Sequence, residues 1–192
     1  MSYKITALLI AATLGISACN NGTPEQTSVV PATDSATAST PTVASTPVVA
    51  EIKSSDGAVS FTPNGDFADK LSDAAFGADK NTTLLQYDES RNLTLSVVAS
   101  GKVKGTAEDF FGSLKKNIEA DKTVSNAQID KAANNQIAYR FTHPEADGKP
   151  AANESCITAV SADGVIHTAC ATSTDLSADE LKDVVANSLK FN

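Results

Sequence analysis

The sequence lacks an apolar run long enough to cross a membrane as a helix. Its longest stretch, Ile5 to Ile16, falls short of the roughly 20 residues a span needs, and no second candidate follows. Histidine is almost missing. The two present, His143 and His167, sit in no recognisable nucleophile motif, and no Lys-Ser/Thr follows a phosphate-cradling glycine loop. These absences argue against an enzyme, a resident cofactor or a bound metal. Positive charge is also scarce: 15 Lys and Arg stand against 23 Asp and Glu, for a formal charge of −8. An acidic chain with scattered lysines is a poor nucleic-acid binder, so that partner class is not expected. Only three cysteines occur, Cys19, Cys156 and Cys170.

The short apolar run has a context. Lys4 is the only charge before it, and Ile16-Ser17-Ala18-Cys19 closes it. A positive start, an apolar centre and small residues at the end describe a secretory leader. The closing tetrapeptide resembles the lipobox of bacterial lipoproteins, an aliphatic and two small residues before a cysteine. The resemblance implies cleavage before Cys19, with a diacylglycerol on its thiol and a further acyl chain, palmitate or similar, on its new amino group. Each buried CH₂ contributes about 0.8 kcal/mol, so two or three chains hold firmly where one does not. In that family an Asp after the cysteine retains the protein at the inner membrane. Asn20 stands there instead, which favours the outer membrane and a domain facing the periplasm.

Three segments follow: a leader over residues 1–18, the lipidated Cys19 and a linker to residue 50, and a globular domain over 51–192. The linker is Thr, Ser, Pro, Ala and Val, with Glu25 and Asp34 its only charges and no aromatic residue. It cannot bury enough apolar surface to offset its ordering entropy. Its prolines, Pro24, Pro31, Pro41 and Pro47, favour extended shapes, and roughly 30 residues at about 3.1 Å each reach at most ~90 Å. Loss of Lys4 takes the mature chain to −9, so attachment depends on lipid, not on attraction to anionic headgroups.

Within the domain, GAVSF predicts a strand ended by Pro63-Asn64-Gly65, and DFADKLSDAAF a short helical or irregular segment. TTLLQYD and LTLSVVAS predict a hairpin, and GKVKG a loop. The TAEDFFGSLKKNIEA stretch predicts a helix capped by Thr106, with Phe110, Leu114 and Ile118 as its buried stripe. NAQIDKAA and QIAYRFTH predict a second hairpin turning at Asn134-Asn135; ESCITAV and VIHTACAT predict a third. SADELKDVVANSLKF predicts a final helix with a Ser177/Glu180 capping box and Leu181, Val184, Val185 and Leu189 inward. An antiparallel sheet covered by helices is the α+β class.

This order, with Phe61-Thr62-Pro63-Asn64-Gly65-Asp66-Phe67 near its start and Ser188-Leu189 near its end, resembles the PsbP-like superfamily, which includes the bacterial DcrB lipoproteins and the eukaryotic Mog proteins. The resemblance implies an αβα sandwich and an assembly or accessory role without catalysis.

Once Cys19 carries lipid, Cys156 and Cys170 remain as an even pair outside the cytoplasm. Ala162-Asp163-Gly164 suits a three-residue hairpin loop. Counting outwards, Val160 faces Ile166, Thr158 faces Thr168, and Cys156 faces Cys170, within disulfide reach. A two-residue Asp163-Gly164 turn would shift this pairing by one and part the thiols. His167 and Cys170, three apart on a strand, face opposite ways, which argues against a zinc site. His143 reads as a loop residue. Lys102 and Lys104 precede a helix start and make a candidate anion site. Asp66, Asp69 and Asp73 read as one exposed helical face, not a calcium loop. The expectation is a non-catalytic envelope lipoprotein that binds or helps assemble an envelope protein or glycan. The alternative is a periplasmic binder of a small ligand or ion.

Overall fold

The computed structural model describes residues 50–192 except 134 and 147, with the side chains of 131–133 also left aside. The leader, Cys19 and the linker lie outside the described residues, as does half of the Asn134-Asn135 turn. Among the described residues no helix is long and apolar enough to cross a membrane.

The expected α+β class is what the chain adopts. Strands β1 (Ile52–Lys53), β2 (Val59–Phe61) and β3 (Ala68–Asp69) lead to the hairpin β4 (Thr82–Asp88) and β5 (Leu93–Lys102). Helix α1 (Ala107–Ala120) precedes β6 (Ser125–Ala133), β7 (Gln136–His143), β8 (Ala152–Val160) and β9 (Val165–Ser173). Helix α2 (Ala178–Ser188) and β10 (Leu189–Phe191) end the chain. Seven strands form one antiparallel sheet in the order β3-β4-β5-β9-β8-β7-β6; β1, β2 and β10 form a small second sheet.

Strand alternation sends successive side chains to opposite faces. Leu93, Leu95 and Val97 of β5, with Ala169 and Ala171 of β9, pack with Leu181 and Val185 of α2 and with Val59 and Phe61 of the small sheet. On the other face Ile137, Tyr139 and Phe141 of β7, with Cys156 and Cys170, pack with Phe111 and Ile118 of α1. The large sheet is thus sandwiched between a helix on each face. Salt bridges tie α2 down at the sheet's far end. Arg140 Nη1 lies 2.6 Å from Asp130 Oδ1 and 3.3 Å from Asp179 Oδ1, and Lys182 Nζ lies 3.5 Å from Asp130 Oδ1.

Both helices start where their caps place them. The Thr106 hydroxyl oxygen accepts from the Asp109 N–H at 3.1 Å. At α2 the capping box is complete: Ser177 N–H donates to Glu180 Oε2 at 2.8 Å, and Glu180 N–H donates to Ser177 Oγ at 3.3 Å. The helix ends earlier than its periodicity predicts. Leu189 continues the four-residue spacing of Leu181 and Val185, yet it opens β10 and pairs with Phe61. Pairing with β2 outweighs the local helical pattern. The expected helical face of Asp66, Asp69 and Asp73 does not form either. Asp69 lies in β3, and Asp73 caps a single 3₁₀ turn, Ala74–Phe76. The GKVKG loop is shorter than expected, because Lys102 still belongs to β5 and pairs with Val165.

The Pro63-Asn64-Gly65 turn has a definite task. Asp88 is 1% exposed, and Arg91 reaches its Oδ2 through Nε and Nη2, both at 2.8 Å. Arg91 Nη2 also donates to the Asn64 carbonyl, and the Phe67 ring lies 5.5 Å from the guanidinium carbon. The turn folds around this ion pair. Gly65, at φ +138°, has no Cβ to obstruct it.

Candidate functional site

The turn between β8 and β9 sets the register around the site. Gly164 takes φ +84° and its N–H donates to the Ser161 carbonyl at 2.9 Å, while Ser161 N–H donates to the Val165 carbonyl at 2.9 Å. That is the three-residue loop the sequence predicts, not the two-residue one. Val160 then opposes Ile166, Thr158 opposes Thr168 and Cys156 opposes Cys170. The two cysteines form a disulfide, with Cα atoms 4.1 Å apart.

On the same face, α1 does not lie over the middle of the sheet. It sits towards β6 and β7, and the Ala74–Phe76 turn covers the opposite margin, where Phe76 meets Tyr87 at 5.2 Å between ring centroids. A trench remains over β5 and β9. It forms a cavity of about 480 Å³, with Asp79 and Asn81 on one bank and α1 on the other. Such a volume suits a small-molecule ligand. Phe110, Leu114 and Ile118, the expected stripe of α1, all line this cavity. Only Ile118 is buried; Phe110 and Leu114 are half-buried, and Phe111 takes the core position beside them. The stripe faces a void instead of a packed neighbour.

Small hydroxyl residues make the floor: Ser96 on β5, Thr158 on β8 and Thr168 on β9. Their polarity is partly consumed within the floor. Tyr139 Oη and Thr158 Oγ1 are 3.2 Å apart, and Thr158 Oγ1 and Thr168 Oγ1 are 2.9 Å apart. Burial pushes the Tyr139 phenol up to about 12, only partly countered by its hydrogen bond to Thr158, so it stays neutral.

Lys102 and Lys104 line one end of the cavity. The residue between them is pinned: Val103 N–H donates to the Gly164 carbonyl at 2.8 Å. The opposite end holds Asp121 and Glu154. Asp121 accepts from Thr123 N–H at 2.8 Å and from the Thr123 hydroxyl at 2.7 Å; these bonds hold its carboxyl below the usual range. Glu154 Oε2 lies 2.7 Å from His143 Nε2. His143 is therefore the last residue of β7 with a carboxylate partner, not a loop residue as expected.

Glu154 also reaches the disulfide, its Oε1 lying 3.2 Å from Cys156 Sγ. Glu154, Cys156 and Cys170 bring three metal-ligating side chains together, but the bonded sulfurs carry no thiolate to offer. His167 points to the other face, as alternation requires, and its Nε2 is 3.1 Å from Asp56 Oδ2. Burial would raise the Asp56 carboxyl; donors from Ser54, Ala58 and His167 outweigh it and lower the value. Asp69 and Asp73 turn their oxygens to nearby backbone N–H groups of Leu71 and Ala75 and form no site.

Sequence reasoning finds the disulfide and the two lysines but not the cavity between them. A signal was present. Ser96, Thr158 and Thr168 place hydroxyls on a face that α1 should cover with apolar side chains. In a comparison with known proteins, no family model and no curated sequence matches this chain.

Proposed function

We propose that this chain is a non-catalytic bacterial cell-envelope lipoprotein, anchored through Cys19, whose domain binds or helps assemble another envelope component. The Ile16-Ser17-Ala18-Cys19 lipobox carries the anchoring. The Thr/Ser/Pro linker and the PsbP-like pattern of the domain support a tethered, PsbP-like accessory protein facing the periplasm. Asn20 after the cysteine supports the outer membrane. Cys19→Ala should move the protein from the membrane to the soluble fraction; a mutant that still sediments with membranes refutes the anchor. Photo-crosslinking from position 104 in intact cells should recover a recurring protein or glycan, and its absence counts against the assembly role.

A second reading, a binder of a small ligand, is supported by one observation. The cavity under α1 joins an apolar roof to two lysines at one end. A ligand-dependent rise in melting temperature is the expected readout.

A further inference from the structure

The charges at the two ends of the cavity are not equivalent. Each carboxylate that lines it is held by the chain itself. Asp79 Oδ1 accepts from Asn81 N–H at 2.7 Å, Asp121 is held by Thr123, and Glu154 by His143. Neither lysine has such a partner: among the described residues no carboxylate oxygen lies within 4.0 Å of Lys102 Nζ or Lys104 Nζ. Neutral donors leave Asp79 and Asp121 their charge, so the lining carries both signs; the two lysines, together at one end, are its charges with no bonded partner among the described residues.

Between the ends an apolar roof faces a floor of mixed apolar and hydroxyl side chains. Phe110, Leu114 and Ile118 form the roof, with Val98, Ile166 and Phe141 below. The floor hydroxyls of Thr158 and Thr168 bond to each other, so hydrocarbon can lie on them without stranding a polar group. The shape is long. Lys102 pairs with residue 165 of β9 and Glu154 with residue 172, a separation of ~24 Å at about 3.4 Å per residue.

We infer that this cavity binds a single-chain amphiphile with an anionic head group, the head at Lys102 and Lys104 and the hydrocarbon beneath α1. The inference rests on the small-ligand reading above and names its ligand class. A carboxylate and a phosphate head share the required chemistry, charged oxygens that accept from ammonium groups. An alkyl cation would have to seat its charge at the opposite end, where Asp121 and Glu154 are already engaged by Thr123 and His143, and an alcohol would forgo the ion pair.

The test uses the full chain carrying Cys19→Ala, so that neither its own lipid nor detergent competes. Calorimetric titration with decanoate, decyl phosphate, decanol and decyltrimethylammonium, each below its micelle concentration, measures the head-group preference. Saturable binding of decanoate, decyl phosphate or both is expected, at least about tenfold tighter than the alcohol or the cation. The tighter of the two anions separates a fatty-acid source from a phosphorylated lipid. Lys102→Glu with Lys104→Glu, both at exposed positions, should weaken anion binding by at least about tenfold and leave decanol binding unchanged. Ser96→Leu, which fills the floor, should weaken all four. Equal affinity for all head groups overturns the inference while leaving the small-ligand reading intact. No binding by any probe overturns both.

Discussion

A methyl group on Gly65 would collide with Arg91 Nη2 and Asp88 Oδ2, which shows how closely the chain wraps this buried carboxylate, the only one so buried among the described residues. Burial alone would raise the Asp88 carboxyl. Hydrogen bonds from Ser90 and Arg91 outweigh it and hold the value below the usual range. A carboxyl lowered on folding stabilises the native state in full above its unfolded value, about 3.9. That contribution is lost as pH falls through the folded value. Asp56 acts in the same direction. Urea midpoints measured from neutral pH to below about 4 should therefore fall with pH. Asp88→Asn should cost about 1.5–3 kcal/mol at neutral pH and flatten that fall; an unchanged acid slope would assign the loss to other groups. The FTPNGDF stretch is legible as a turn from its Pro and Gly. Its role is not, because Arg91 and Asp88 lie some two dozen residues further on and no local pattern links them.

At the level of elements, helix starts and hairpin registers are the most readable features. A capping residue acts within one turn, and a three-residue loop fixes every cross-strand pair beyond it. Ser177→Ala should therefore cost about 1 kcal/mol, read as a lower thermal midpoint, with Ser177→Asp restoring most of it. What the pattern hides are short strands and the helix end. β1 and β3 have two residues each and β2 and β10 three, too few to show a period. Leu189 satisfies the helical spacing and the strand pairing equally well in sequence, and only β2 decides between them. The α1 stripe is apolar as expected, but of its three residues only Ile118 is buried. Periodicity reports which side chains share a face, not whether that face meets a packed neighbour or a void.

For the whole molecule, the two faces of the large sheet differ in kind. The α2 face is a continuous core joined to the small sheet, with ten buried residues in contact, while the α1 face holds the cavity and the crosslink. The disulfide ties β8 to β9 across the floor of that weaker face. For a closed loop of about 15 residues the chain-entropy model gives ~3 kcal/mol. Reduction, or Cys156→Ala with Cys170→Ala, should lower the thermal midpoint by roughly 10 °C for a domain of this size. A change of only a degree or two would mean that the native pairing costs as much as it contributes.

The position of that crosslink has a kinetic consequence. Cys156 is 1% exposed and Cys170 8%, and Cys170 lines the cavity. In the native state a small thiol can approach these sulfurs through the space beneath α1, where the Glu154 carboxylate stands 3.2 Å from Cys156 Sγ. An incoming thiolate is repelled there, and a molecule filling the space would obstruct it. If the cavity takes the ligand inferred above, the bond serves as a clock for occupancy: its lifetime in a neutral reductant should lengthen as ligand is added.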